Sequence, residues 1–332
     1  MLLRPGWLHR NRDGRPGLCM TTRFRAYQLG TKGSSFSYFA DGHFTVIEGR
    51  LNEVNRRTLL AEMEICGVTH AGTLHVTSWD ADHCAGSELE ALLSLAKPAK
   101  IECPGYAPHT VNGETCLDII EAYRHERRLS NRGATVRAIT PEYIAGLQRV
   151  RDLAFEDTLH NPVHLSPSCD NDNSTVKHFR RGDFNVLSLG DVESSNIGAR
   201  LRRLRTLRRE TDVMILAHHG ADNGFTTKKF LRHLEPTLAI CSSDYANMYN
   251  HPTLSIRELL YEEKIRLMTT KTGDVIVMSL PERPGVYRAI NLRTSSTRAS
   301  SVYDFVAKKS RLLAMNDDSL RQLYAPRLRF PR

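Results

Sequence analysis

The chain reads as a layered α/β fold, on three observations. Strands and helices alternate along most of its length. The strands are short and apolar, and loops carrying Asp and His fall repeatedly at their C-terminal ends. Open α/β sheets place their ligand sites at such ends. From Phe24 to Gly49 a hairpin is expected: FRAYQLG, a KGSS turn, SFSYFA, an Asp41-Gly42 turn and HFTVIEG. Alternating aromatic and β-branched residues around glycine-bearing turns support it. An amphipathic helix follows over 55–66 and stops at Gly67. Leu74-His75-Val76-Thr77 is a short buried strand, 78–86 a polar loop and 87–96 a helix. A strand at 100–103, a helix at about 114–129 and a strand at 134–139 come next. Thr140 then caps a further helix whose first residue is Pro141.

The second half repeats this grammar. Strand 184–189 runs to Gly190-Asp191, helix 195–209 follows, and strand 212–217 ends in His218-His219-Gly220. Helix 227–234, strand 237–242, a polar loop to 252, helix 253–264 and strand 273–279 complete it. The halves read as similar units, with no short internal repeat. Residues 281–300 hold one strand, YRAINLRT, and a Ser/Thr/Arg-rich stretch; one or two helices are expected over 301–324, and APRLRFPR is basic and extended. The expected division is a flexible Arg/Gly/Pro-rich extension at 1–19, a main domain at 20–282 and a basic C-terminal extension at 283–332. Met20, directly before the first strand, is a second candidate start.

Composition sets limits on function. Hydrophobic residues at 40% and charged residues at 25% suit a globular protein. No apolar run approaches membrane-spanning length, and the N-terminal arginines precede no apolar secretion segment. Seven dispersed cysteines without a CxxC pair argue against a disulfide framework or a cysteine zinc site, and suit a reducing cytoplasm. A net charge of +9 favours polyanionic partners, because neutralising phosphates releases condensed counterions. That charge carries weight only beside a site able to handle phosphate.

Thr77-Ser78-Trp79-Asp80-Ala81-Asp82-His83 supplies such a candidate. Asp80, Asp82 and His83 fall within four residues, between a buried strand and a helix. Carboxylates with an imidazole suit a divalent ion, although the same residues could simply cap the next helix. Three more strand ends add weight. Asp191 follows the strand LSL, His218 and His219 follow the next, and Asn247-Met248-Tyr249-Asn250-His251-Pro252 follows a fourth. Four polar strand ends converging on one sheet edge would serve solubility poorly.

This order of motifs resembles the metallo-β-lactamase superfamily, and more closely the hydrolase domain of the competence DNA-uptake protein ComEC and its free-standing relatives. TSWDADHCAG matches their SHxDxDHxGG at Asp80, Asp82, His83 and Gly86. LSLGDVE matches their TGDxE strand end at Asp191 and Glu193, His218-His219-Gly220 matches HHG, and Asn247, Tyr249, His251 and Pro252 match NxYxHP. LGTKGSSF resembles their VGQGDS turn with Ser34 in place of the acidic residue, and Asn173-Ser174 resembles an element just before the GDxE strand. The resemblance spans about residues 23–280. It implies an αββα four-layer sandwich of two mixed β-sheets flanked by helices.

The resemblance also implies a metal-dependent nuclease or phosphodiesterase acting on nucleic acid, with DNA the expected substrate. Two ions about 3.5–4 Å apart can activate a water and stabilise a leaving oxygen. Carried over by position, one metal site holds Asp82, His83 and His218 with Asp191 bridging. The other departs from the group, because its histidine is Ser78 here. That site keeps Asp80, Asp191 and water, with a helper sought near His160 or His164. One firm and one weak metal follow, the oxygen-rich site favouring Mn²⁺ or Mg²⁺ over Zn²⁺. Asp82 is also the candidate for orienting the water. His251 and His219 are candidates for contacting phosphate oxygens or protonating the leaving oxygen. For His219 a role orienting His218 is equally open, and for His251 a loop-packing role.

Around this site, Arg202, Arg203, Arg205, Arg209 and Lys228 form a candidate phosphate-tracking surface, with Asn247 and Tyr249 beside the metals. The plain alternative is a solvated face over the stripe Leu201, Leu204 and Leu207. No zinc finger, RRM or basic zipper is present for base readout. Two other function classes remain: hydrolysis of a small cyclic nucleotide, lactone or thioester, and a binding module whose site has degraded at Ser78. The basic tail is a candidate docking element for a protein partner. No membrane association is expected.

Overall fold

A computed structural model describes residues 22–129, 133–149 and 156–315. The expected extension at 1–19 and the tail end APRLRFPR lie outside the described residues. The nine-stranded sheet starts with β1 (Arg23–Ala26), β2 (Phe36–Ala40), β3 (His43–Ile47), β4 (Thr73–His75), β5 (Lys100–Pro104) and β6 (Thr135–Ile139). The six-stranded sheet comprises β7 (Thr158–Asn161), β8 (Val176–Phe179), β9 (Val186–Ser188), β10 (Val213–Ile215), β11 (Leu238–Cys241) and β12 (Arg266–Thr269). The chain then returns to the first sheet with β13 (Val275–Ser279), β14 (Val286–Leu292) and β15 (Ala299–Val306). Strand order is β15-β14-β13-β1-β2-β3-β4-β5-β6 in one sheet and β12-β11-β10-β9-β8-β7 in the other. Both are mixed: β3 to β6 and β9 to β12 run parallel, while the hairpins around β1, β2, β7 and β8 are antiparallel.

Side-chain alternation separates the layers. On β2, Phe36, Tyr38 and Ala40 face the second sheet while Phe39 faces the helices, as a period of two requires. The inner core joins these residues to Phe179, Phe184, Val186, Val213, Leu238 and Ile240 of the six-stranded half. The outer face of the large sheet packs Phe44, Val46, Leu74 and Ile101 against helices α1 (Glu53–Ile65), α2 (Gly86–Ala96) and α3 (Val111–Leu129). α4 (Pro141–Arg149) starts as expected, with Tyr143 N donating to Thr140 Oγ1 at 3.2 Å.

On the far side, Leu187, Met214 and Ala239 pack against α5 (Ser195–Leu201), α6 (Arg205–Glu210), α7 (Lys228–Leu234) and α8 (Leu254–Glu262). The layers therefore run helix, sheet, sheet, helix, the αββα sandwich that the motifs imply.

Four features differ from the sequence reading. The helix expected over 195–209 is two helices, broken at Arg202–Leu204, with Leu204 in extended backbone. The stripe Leu201, Leu204, Leu207 has spacing three only, which rotates round a continuous helix; the break lets both Leu201 and Leu207 be fully buried. Residues 158–179, to which the sequence reading assigns no element, hold the two strands β7 and β8. Residues 301–306, the start of the expected helical stretch 301–324, belong instead to strand β15. Paired to β14, it carries the large sheet across the boundary expected at 283. Finally, the polar strand ends come from two sheets, not one.

α9 (Lys308–Met315) docks on the chain's own core. Lys308 Nζ donates to the carbonyls of Arg208 and Leu234, at 2.8 and 2.7 Å, and Lys309 Nζ to those of Arg180 and Gly182, at 2.8 and 2.7 Å. Among the described residues no helix is long and apolar enough to cross a membrane.

Candidate metal centre

The loop after β4 is pinned from several sides. Its residues Asp82 and His83 accept, through their carbonyls, from Ser34 N at 2.8 Å and Gly49 N at 2.7 Å. Asn112 Nδ2 donates to the carbonyls of Trp79 and Cys84, at 3.1 and 2.8 Å. After β9, Gly190 takes a positive φ of 56°, turning Asp191 inward, and its carbonyl accepts from His218 N at 3.0 Å. His218 and His219 are both left-handed, at φ 46° and 52°, conformations rare and strained for residues other than glycine.

These turns bring four side chains together. Ligand atoms of Asp82, His83 and His219 all lie within 4.8 Å of one another. Asp191 joins them, with Oδ1 at 2.9 Å from His83 Nε2 and Oδ2 at 3.9 Å from His219 Nε2. Asp82 Oδ2 is 3.6 Å from His219 Nε2.

Behind the ring, His83 Nδ1 faces Glu48 Oε1 and Thr77 Oγ1, each at 3.2 Å. Glu48 is buried with φ 72° and also accepts from Thr77 N and Oγ1, at 3.0 and 2.7 Å. His219 Nδ1 meets the carbonyl of Ser242 at 2.9 Å. A carbonyl can only accept, so His219 carries a proton on Nδ1 and turns Nε2 toward the carboxylates; Glu48 imposes the same on His83. Both Nε2 atoms are buried and make no hydrogen bond.

Two imidazole lone pairs facing two carboxylates are a set that a divalent cation satisfies. The electrostatics agree. Burial pulls His83 down, but Asp191 and then Glu48 outweigh it and hold the imidazole well above its usual range. His219 is raised likewise, burial being opposed by Asp191 and Asp82. Burial pushes Asp82 and Asp191 up, yet the facing imidazoles hold both below the usual carboxylate range. The pocket draws positive charge.

Other expected site residues are placed differently. His218, expected as the ligand, turns its Nδ1 toward Glu193 Oε1 at 3.4 Å, because the left-handed pair throws neighbouring side chains to different sides. His219 takes the inward position instead. Asp80 lies outside the group and accepts from Ser78 Oγ at 2.9 Å, while Ser78 Oγ meets Tyr106 OH at 3.2 Å. His160 pairs with Thr158 Oγ1 at 3.0 Å on β7, and His164 is exposed; neither is in the group.

His251 lines the cleft over the group with Lys32, Asp82, His218, His219 and Tyr249. Burial, then the neighbouring His219 and His218, push its imidazole down to about 4. Asn247 is occupied within its own loop: Oδ1 accepts from His251 N at 2.6 Å and Nδ2 donates to the carbonyls of Asp244 and His251. Tyr249 is exposed and stacks on the His251 ring, centroids 5.5 Å apart.

Three contributors escaped sequence reasoning: Glu48, Ser242 and Tyr106. Glu48 ends the apolar strand HFTVI, so the strand-end logic applied to Asp191 reaches it too. Ser242 acts through its carbonyl, and Tyr106 lies in an unpatterned loop; neither leaves a signal.

No protein-family model matches the chain. It is similar to the competence protein ComA of Neisseria gonorrhoeae, 30% identical over 115 residues, which are 33% of this chain and 16% of that protein. It is also similar to Recombination protein 2 of Haemophilus influenzae, 29% identical over 130 residues, 39% of this chain and 16% of that protein. The chain thus spans a small part of the curated relatives it matches. Among solved structures it aligns with a metallo hydrolase from the archaeon Ignicoccus hospitalis, at TM-score 0.41 and 12% identity over 77% of this chain and 98% of the other. It aligns with the metallo-β-lactamase fold protein YhfI from Bacillus subtilis at TM-score 0.41 and 10% identity, over 77% and 100%.

The chain is an αββα sandwich of two mixed sheets flanked by helices. On this sandwich the strand C-termini carry Asp82, His83, Asp191 and His219, whereas α6 leads into the start of β10 at the opposite end. Arg205 and Arg209 sit on α6, and Arg203 just before it, and none of the three lines the cleft. Arg202 lines a second cavity with Lys228 and Lys229. Lys228 is also engaged by Glu262 at 2.9 Å and Glu263 at 3.5 Å.

Proposed function

We propose that the chain is a metal-dependent hydrolase that cleaves phosphodiester bonds in nucleic acid, with DNA as substrate. One observation carries the metal dependence: the buried, unpartnered Nε2 atoms of His83 and His219 against the carboxylates of Asp82 and Asp191. Two imidazoles with two carboxylates suit Zn²⁺ or Mn²⁺. The similarity to competence proteins and the net charge of +9 support a nucleic-acid substrate.

A divalent ion bound by these residues would lower the pKa of a water toward neutrality and polarise a phosphoryl oxygen. The protein supplies the rest. Asp82 belongs to the group and also lines the cleft, so its carboxylate is placed to orient the attacking water and accept its proton. Glu48 and the Ser242 carbonyl fix the two imidazoles. His251, lowered to about 4, is neutral at pH 7, so it serves as a hydrogen-bond donor to phosphate oxygens rather than as a proton source. Lys32 brings a cation to the rim.

The test is cleavage of labelled single- and double-stranded DNA with Mn²⁺, Mg²⁺ or Zn²⁺, comparing wild type with Asp191→Ala. Metal-dependent cutting that disappears in the variant is expected. A folded, metal-loaded wild type that cuts neither substrate would contradict the nuclease reading. A second reading, hydrolysis of a small phosphodiester such as a cyclic nucleotide, is favoured by the placement of Arg203, Arg205 and Arg209 away from the cleft.

A further inference from the structure

The resemblance implies two ions, and Ser78 and Asp80 stand where the ligands of the first would be. We infer that the chain works with one metal, the place of the other being closed by a hydrogen-bonded triad of Ser78, Asp80 and Tyr106. This inference rests on the reading that Asp82, His83, Asp191 and His219 hold an ion.

The triad is satisfied internally. Ser78 is fully buried, its Oγ donates to Asp80 Oδ2 at 2.9 Å, and the same oxygen accepts from Asp80 N at 3.2 Å. Tyr106 OH, 3.2 Å from Ser78 Oγ, is the remaining partner of that hydroxyl. Because Ser78 spends its single proton on Asp80, the phenol donates to the serine. The chain of donors therefore runs Tyr106 to Ser78 to Asp80 and ends on the carboxylate.

Tyr106 is held in turn by its own backbone, whose carbonyl accepts from Trp79 Nε1 at 2.9 Å. No side-chain oxygen of the three is left buried without a partner, whereas His83 Nε2 and His219 Nε2 both are.

Ligand chemistry agrees with this geometry. A neutral serine hydroxyl is a poor ligand beside an imidazole or carboxylate, and Asp80 is not among the residues whose ligand atoms gather within 4.8 Å. A second ion would have Asp80 and a share of Asp191. Charge balance points the same way: one divalent ion already neutralises the two carboxylates Asp82 and Asp191. Added negative charge from a substrate is then met by Lys32, with His218 and His251 as hydrogen-bonding groups on the cleft wall.

The experiment counts metal on the purified full-length chain, by elemental analysis and by Mn²⁺ titration followed by electron paramagnetic resonance. One equivalent per chain is expected in wild type and equally in Asp80→Ala and Tyr106→Phe, with none retained by His219→Ala. Tyr106→Phe keeps the ring and guards against a folding failure in Asp80→Ala. Two equivalents in wild type, falling to one in Asp80→Ala, would overturn the one-metal inference and leave the functional reading standing. No tightly bound Mn²⁺ or Zn²⁺ in wild type would overturn both.

Discussion

At the start of β10, Asp212 is buried with Lys308, Lys309, Glu210 and Arg180 close by; at the ends of β9 and β10, Asp191 is buried with His219 and His83. Both ends of the small sheet therefore put charge into a low-dielectric interior, where an unpaired group costs several kcal/mol. They differ in satisfaction. Asp212 accepts from the backbone N–H groups of Lys308 and Asn185, at 2.8 and 2.9 Å, and Glu210 meets Arg180 through two bonds of 2.8 and 3.0 Å. The lysines end on backbone carbonyls. At the other end two imidazole nitrogens face carboxylates without making a hydrogen bond. Neither a shifted titration nor one unpartnered nitrogen separates function from architecture, since His75 Nε2 and His178 Nδ1 are also buried without a partner; two such nitrogens converging on two carboxylates do.

The largest effect that could break this comparison lies in the histidine pair. His219→Ala is expected to lose bound metal and metal-dependent activity altogether, while His218→Ala keeps stoichiometric metal and is altered in turnover. Elemental analysis and steady-state kinetics on the two proteins check it. The reverse pattern would show that the inward imidazole has been assigned to the wrong residue.

At the opposite end the expected effect is on stability and depends on pH. Burial raises the Asp212 carboxyl to about 6, against the pull of the Lys308 and Asn185 amides, compared with about 4 in an unfolded chain. A folded-state pKa raised in this way contributes stability that is present below pH 4 and lost as pH rises through 6. Wild type should therefore lose ground relative to Asp212→Asn across that window, by up to about 3 kcal/mol, while metal content stays equal. Melting curves at pH 4, 5 and 6 read the difference. A constant offset between the proteins would mean that Asp212 does not titrate there.

A smaller effect is expected at Glu48, which touches the site only through His83. Glu48→Gln can present its amide nitrogen to His83 Nδ1 and so favour the wrong tautomer. Metal affinity should fall about 10- to 100-fold with the fold retained. Unchanged affinity would place the control of His83 on Thr77 instead.

Much of this arrangement was legible in the chain. Alternating aromatics gave the opening hairpin, and apolar strands ending in Asp82-His83, Asp191 and His218-His219 marked the site end of the sandwich. What escaped depends on three-dimensional context. Two adjacent left-handed residues break the strand alternation that tells which of His218 and His219 points inward. The segment ASSVYDFV at 299–306 holds the strand-prone Val302, Tyr303, Phe305 and Val306, and pairing with β14 decides between strand and helix there. The arginines on 202–209 resembled one basic stripe until the break at Leu204 and the direction of β10 carried most of them away from the cleft. Position 78 stood out as a departure, but only its contact with Tyr106 shows what replaced the imidazole.

The most direct test of the central claim is an anomalous-diffraction map of crystals of the full chain grown with Mn²⁺. The account predicts one strong peak within ligand distance of Asp82, His83, Asp191 and His219. A peak between His218 and Glu193 instead, or none near these four residues in a protein that cleaves DNA, would contradict it.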